Sequence, residues 1–411
     1  VNDMGRGHRV ILANPGAGKS VLLLSKAFKY ASMYKDSNIL LTCYNSNLAD
    51  SYCFKRSCAN FGNDSNLHIM TFHKLVKKIY EECLHARCAD NIATPEEIQN
   101  CINLVKSGKL KLRFKAIFID EVQIFDPQYL ELCYLLLEDA EDNTFLMAGD
   151  LNQTVRKKSR RGDVPWKKIA GVTLDFTGRV KYIRKNYRNS KQIGLYLCHM
   201  LQHMNERMKM LNLIDFKELE YDSFEVGETK SLALNVKTGI GRMDITKKTV
   251  DAIKEIAEKY KLSYSEIAVL FPYKQHDRIR YYNLYWLRQA LDAEDIPYSM
   301  ITSSRDGIFE RKRYSDTNGV VLSTIDSSLG LDFKAVIVTG LYPYNYIYGD
   351  DFYKKEISSW NTIKGMNDDD QLQVQSQMRA IYTACSRARD VLYVLSDLKP
   401  GSPMEEILKN R

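Results

Sequence analysis

RVILANPGAGKSVLLLSKAFKY, residues 9–30, falls into three pieces with different physics. Arg9 to Ala13 is an apolar run of strand length, Asn14 to Gly18 is built of turn formers, and Ser20 to Tyr30 has the composition of a helix. A strand feeding a helix through a short loop is the unit from which parallel sheets are made. The loop Ala13-Asn14-Pro15-Gly16-Ala17-Gly18-Lys19-Ser20 fits the phosphate-binding pattern except at Ala13, where a first glycine is usual. Gly16, Ala17 and Gly18 let backbone N–H groups turn inward on an anion, and the helix behind them offers its positive end. Lys19 then reaches the β and γ phosphates of a nucleotide, and Ser20 can ligate Mg²⁺. A plain tight turn is the alternative, and the strand before and helix after the loop argue against it.

Such a loop needs a carboxylate on a neighbouring strand to hold the magnesium. The apolar run Ala116 to Ile119 ends in Asp120 and Glu121. Asp120 is the metal candidate, and Glu121 is placed to orient and deprotonate an attacking water. Taken alone, two acids after a strand also suit a helix N-terminus. A further run, Thr144 to Ala148, leads into Gly149-Asp150-Leu151-Asn152-Gln153, which puts the Gln153 amide on the same edge as a sensor of the γ-phosphate. With Ile39 to Thr42, these runs make four short buried strands with polar residues at their C-terminal ends, an open α/β sheet with ligands along that edge.

The pattern returns in the second half. Strands are expected at Glu266 to Phe271, Gly319 to Thr324, Ala335 to Thr339 and Val391 to Leu395, with amphipathic helices at Asp251 to Tyr260 and Tyr282 to Asp292. Two α/β lobes follow, changing over near residues 175 to 190. Asn186-Tyr187-Arg188 and Ser386-Arg387-Ala388-Arg389 supply the second lobe with arginines that could reach across a cleft to a phosphate and neutralise charge developing there.

A chain of 411 residues exceeds one typical core. With 45% hydrophobic and 27% charged residues it is a globular composition rather than a disordered one. No apolar run approaches the ~20 residues that a bilayer demands, and the start does not resemble a signal peptide. The formal charge of +8 favours polyanionic partners, and it is concentrated: Arg156, Lys157, Lys158, Arg160, Arg161, Lys167 and Lys168 face one acid, Asp163. Nine scattered cysteines point to a reducing cytosol. Cys53 with Cys58, and Cys83 with Cys88 around His85, are spaced too widely for the common zinc knuckle, so inert thiols are expected.

In their order these segments resemble the superfamily 1 DNA helicases of the UvrD, PcrA and Rep type. Gly16 to Ser20 looks like motif I, Thr42 to Asn45 like motif Ia, Thr71-Phe72-His73 like the next DNA-contacting motif, and Asp120 to Gln123 like motif II. Gly149 to Gln153 resembles motif III, Asn186 to Arg188 motif IV, Thr324 to Phe333 motif V, and Tyr382 to Ala388 motif VI. The resemblance covers nearly the whole chain. It implies two RecA-like domains with an ATP site in the cleft between them, ATP and Mg²⁺ as cofactors, and single-stranded DNA lying across both lobes. Domain 1A would span 1–180 with a short insertion around 74–115, and domain 2A 181–411 with little or no inserted subdomain. Arg188 and Arg387 would contact the γ-phosphate, Tyr187 the adenine and Asp332 the ribose. Tyr44, Asn45, Thr71, Phe72 and His73 would face the strand, although Thr71 and Phe72 also read as the end of a buried strand.

Several positions depart from the family pattern. Family members carry an adenine-reading glutamine some twenty residues before the phosphate loop, a position that residues 1–411 do not include, so ATP as the nucleotide is inherited from the resemblance. Arg156, Lys157 and Lys158 stand where relatives stack aromatics on the strand, and cations there would grip phosphates with a steep salt dependence. Asp326 and Leu329 replace the usual histidine and lysine of motif V. Only 43 residues separate His73 from Ile117, so accessory subdomains are pared down. Met208 to Met243 and the tyrosine- and aspartate-rich Tyr342 to Gln371 have no assigned role.

The leading reading is an ATP-hydrolysing translocase or helicase on single-stranded DNA, with family polarity 3′ to 5′. RNA stays open, because nothing reads a 2′-hydroxyl. The alternative is an ATP-driven regulatory module serving a fused or bound nuclease or effector without unwinding.

Overall fold

The computed structural model describes residues 7–59, 66–84, 92–138, 143–150, 166, 168–169, 172–173, 176, 178–210, 232–302, 311–349 and 354–409. They form two compact units, one from the described residues up to 184 and one from those after it.

In the first unit β1 (Gly7–Ala13) leads to α1 (Lys19–Met33), β2 (Ile39–Cys43), α2 (Ser46–Cys58), β3 (Leu67–Thr71), α3 (Phe72–Leu84) and α4 (Pro95–Lys106). Then come β4 (Ala116–Ile119), α5 (Pro127–Leu135), β5 (Thr144–Gly149), a hairpin of β6 (Lys168–Ile169) and β7 (Val172–Thr173), and β8 (Val180–Ile183). The sheet order is β3-β2-β4-β5-β1-β8 with every pairing parallel. Period-two alternation serves both faces. Ile39, Leu41 and Phe118 pack under α1 and α2 with Leu23, Ala27 and Leu48. Leu40, Ile117 and Phe145 pack under α3, α4 and α5 with Leu75, Ile102 and Leu130. Each such side chain stabilises the unit by about 1.5–3 kcal/mol. Helix α4 starts where it does because Thr94 caps it, its hydroxyl accepting from Glu97 N–H while the Glu97 carboxylate takes the Thr94 N–H. Pairing of Leu12 with Gly149 and of Ile119 with Met147 keeps the C-terminal ends of β1, β4 and β5 level. The candidate site stands on that edge.

The second unit runs α6 (Lys191–Met210), β9 (Ala233–Lys237), α7 (Ile245–Tyr260), β10 (Ile267–Phe271), α8 (Asn283–Ala293), β11 (Tyr298–Met300), β12 (Val320–Thr324) and β13 (Phe333–Val338). A hairpin of β14 (Tyr346–Tyr348) and β15 (Lys354–Glu356), α9 (Trp360–Lys364), α10 (Asp368–Cys385), β16 (Ala388–Leu395) and α11 (Pro403–Lys409) complete it. Its parallel order is β11-β12-β10-β13-β16-β9. Helices α7 and α8 cover one face, and α6, α10 and α11 the other. The chain therefore has the expected α/β class, two parallel six-stranded sheets flanked by helices.

Tyr342 to Gln371 becomes intelligible here. Tyr344, Tyr346 and Ile347 are buried in the core of the second unit, and Asp368, Asp369 and Asp370 occupy the first turn of α10, where carboxylates meet the positive helix end. Among the described residues no helix is long and apolar enough to cross a membrane, the cysteines are free thiols, and no group of three or more His, Cys, Asp or Glu side chains could hold a metal. His85 and Cys88 lie outside the described residues.

Candidate active site

The chain leaves β1 at Ala13 and enters α1 at Lys19, with Gly18 at φ +84°. An L side chain rarely adopts that backbone, which is the physical reason for glycine there. The first turn of α1 carries no acid, so its positive end is left unopposed for an anion. Lys19 is buried, and its Nζ donates to Ala13 O at 2.8 Å and Asn14 O at 3.1 Å. The ammonium is thus curled against the loop's own backbone.

Asp120 follows β4 and has no exposed surface. Ser20 Oγ donates to its Oδ2 at 2.7 Å, Tyr52 from α2 donates its hydroxyl to the same oxygen, and the Glu121 N–H donates to Oδ1 at 2.8 Å. Burial, reinforced by Glu121, raises the Asp120 carboxyl above its ordinary value, and the hydrogen bonds from Tyr52 and Ser20 and the nearby Lys19 pull the other way. Burial and the adjacent carboxylate push the Tyr52 phenol well up, so it stays a donor. A hydroxyl and a carboxylate oxygen in contact are the hard donors that Mg²⁺ takes, and an ion with so few protein ligands fills its remaining positions with phosphate oxygens and waters. The residues fit the ion that the loop implies.

Glu121 sits at φ 56°, ψ 43° before a short turn, Val122–Ile124. For a residue with a Cβ that left-handed backbone costs about 1–2 kcal/mol. The turn brings Gln123 back: its Nε2 donates to Glu121 Oε2 and its Oε1 accepts from the Asp150 N–H at 3.1 Å. Gly149 makes room for this clamp, since a Cβ there would lie 2.6 Å from Gln123 Oε1. Gln153, the expected γ-phosphate sensor, lies outside the described residues.

Residues 2–158 match the family model of an AAA domain. That model occurs in UvrD- and Rep-like superfamily 1 helicases and in related phosphate-loop ATPases. The AAA-domain match spans the loop, Asp120, Glu121 and Asp150, so the first unit carries an AAA-type phosphate-loop domain. No curated protein matches the chain.

Within the AAA-domain stretch the expected strand contacts cluster at the ends of β2 and β3. Tyr44 is half-buried and meets His73 edge-on at 5.0 Å. The Asn45 side chain caps α2 by accepting from Asn47 N–H at 2.8 Å. Thr71 Oγ1 accepts from Lys74 N–H at 3.3 Å, and His73 Nδ1 accepts from Ala93 N–H at 3.2 Å. Phe72 departs from the expectation that it faces a strand. Its ring is wholly buried and stacks on Tyr129 at 4.3 Å, because α3 begins at this residue and turns it into the core. Arg156, Lys157 and Lys158 lie outside the described residues.

The second unit gathers its own candidates at the N-terminal ends of β13 and β16. Asn186 Oδ1 accepts the N–H groups of Arg188 and Asn189 at 3.0 Å each, and Asn189 Nδ2 donates to Ser386 O at 3.1 Å and Ala388 O at 2.5 Å. The Tyr187-Arg188 turn is thereby sewn to the Ser386–Ala388 segment. Tyr187 is 69% exposed, whereas Arg387 is 1% exposed and donates from Nε to Thr383 O and from Nη1 to Leu331 O, both at 3.2 Å. Asp332 pairs with Arg389 at 3.4 Å, and its carbonyl accepts from the Tyr314 hydroxyl. Tyr52, Gln123 and Asn189 went unassigned from sequence. Only Gln123 carried a signal, two positions after Glu121.

Proposed function

We propose that the chain is an ATP-driven translocase on single-stranded DNA, moving 3′ to 5′ and unwinding duplex. The observation that carries this reading is the chain of contacts Ser20–Asp120 and Glu121–Gln123–Asp150 beside an AAA-type phosphate loop, set in motifs whose order resembles superfamily 1. In this mechanism Lys19 exchanges its two backbone carbonyls for β and γ phosphate oxygens. Ser20 and Asp120 would hold Mg²⁺, which would supply neutralisation of phosphate charge when bound. Glu121, held by Gln123, accepts the proton of the attacking water, and Arg188 and Arg387 are assigned to the γ-phosphate. Arg387 must leave its backbone carbonyls to serve. Tyr187 offers an exposed ring for adenine, and Asp332 is assigned to the ribose. Tyr44, Asn45, Thr71 and His73 are assigned to the strand, where a sequence-tolerant grip combines stacking with phosphate contacts. Gln153 is assigned to sensing the γ-phosphate, and Arg156, Lys157 and Lys158 to backbone phosphates.

Hydrolysis measured beside strand displacement on a duplex with a single-stranded 3′ tail tests the proposal. Stimulation by DNA together with displacement is expected. Stimulation without displacement would remove unwinding and leave translocation alone or the regulatory module.

A further inference from the structure

Tyr52 belongs to none of the motifs, yet its hydroxyl reaches the same carboxylate oxygen as Ser20. It lies on α2, seven residues after the cap Asn45, or about 10 Å along the helix axis. The ring is 1% exposed and packs with Cys43, Leu48 and Phe118. Phenylalanine would fill that space equally well. A hydroxyl buried against a buried acid therefore calls for a reason beyond packing.

We infer that Tyr52 is a positioning residue for the magnesium carboxylate. This rests on the phosphate-loop reading above. Ser20 and Tyr52 grip Oδ2 while the Glu121 N–H grips Oδ1, and together they stop the carboxylate from turning. The same bond ties that orientation to the seat of α2, whose cap, Asn45, is assigned to the nucleic-acid strand. Strand binding at one end of the helix then has a direct mechanical route to the metal site.

The test compares wild-type full chain with Tyr52→Phe, which keeps the packed ring and is checked for folding by thermal unfolding. Binding of a fluorescent ATP analogue is followed first in EDTA and then through a magnesium titration. Affinity in EDTA is expected to stay within about twofold, with the magnesium midpoint raised on the order of 10-fold, the usual effect of removing a group that orients a metal ligand. Manganese titrated in place of magnesium, with free ion read by electron paramagnetic resonance, should show the same shift. A midpoint unchanged from wild type overturns the inference, as does an equal loss of affinity with and without metal, the mark of a packing role. If the wild type itself shows no magnesium dependence, the phosphate-loop reading falls and takes this inference with it.

Discussion

Ser20 Oγ lies 2.7 Å from Asp120 Oδ2, although the two stand 100 positions apart in the chain. The parallel neighbourhood of β1, β5 and β4 makes the contact, because it levels the ends of those strands. Replacing Asp120 with Asn should leave metal-free nucleotide binding intact and lower magnesium-dependent hydrolysis by on the order of 100-fold. A variant with wild-type hydrolysis would remove Asp120 from the metal site.

Gln123 touches no substrate in this account and works through Glu121. Gln123→Ala frees the Glu121 carboxylate and the Asp150 N–H from their shared partner. The expected result is a kcat lower by roughly 10- to 100-fold with KM for ATP little changed, since a misplaced general base loses much of a typical 10²–10⁴-fold contribution. A change confined to KM would contradict it.

Gly149→Ala should destabilise the first unit by about 1–3 kcal/mol. The added methyl would sit 2.6 Å from Gln123 Oε1 and 2.8 Å from Val122 Cγ1. Combining it with Gln123→Ala removes the nearer clash, so urea unfolding of the double variant should recover part of the loss. Strict additivity of the two changes would argue against the contact.

The strands legible in the sequence are the central ones. In the first sheet β1, β2, β4 and β5 read as apolar runs, and in the second β10, β12, β13 and β16 do. Each is buried on both faces, which makes the run continuous. Edge strands hide for the same reason. In β3, LHIMT alternates buried and half-buried residues, and β8, VKYI, is largely exposed. Edge β9 is half-buried up to its last residue, the exposed Lys237, and edge β11 is only three residues long. The site divides similarly: Gly18, Lys19, Ser20, Asp120 and Glu121 stand in local patterns, whereas the Tyr52 bond exists only once α2 packs on β2 and β3 and brings Tyr52 to Asp120. Phe72 misled because an aromatic beside Thr71 and His73 looks like a stacking platform until α3 turns it inward.

Asp397 gives the second unit a pH signature. It accepts from the Tyr281 hydroxyl and, at 2.8 Å, from the Tyr342 N–H, and burial pushes its carboxyl up to about 6. Its unfolded value is about 3.9. Between these values the folded state holds the proton more tightly, so stability falls as pH rises through the window, by on the order of 3 kcal/mol in all. Asp397→Asn, always neutral, should flatten that fall. Denaturant unfolding of both proteins at pH 4 and pH 6.5 checks it, and an identical slope would count against the assignment.

On the proposed function, Glu121 activates water for ATP hydrolysis under the control of a nucleic-acid strand. ATP turnover of the wild type and of Glu121→Gln, each with and without single-stranded DNA, tests it most directly. DNA is expected to increase the wild-type rate, and the variant to bind nucleotide normally yet turn over at least about 100-fold more slowly in both conditions. A wild-type rate indifferent to DNA, with a variant that hydrolyses ATP as fast, would contradict it.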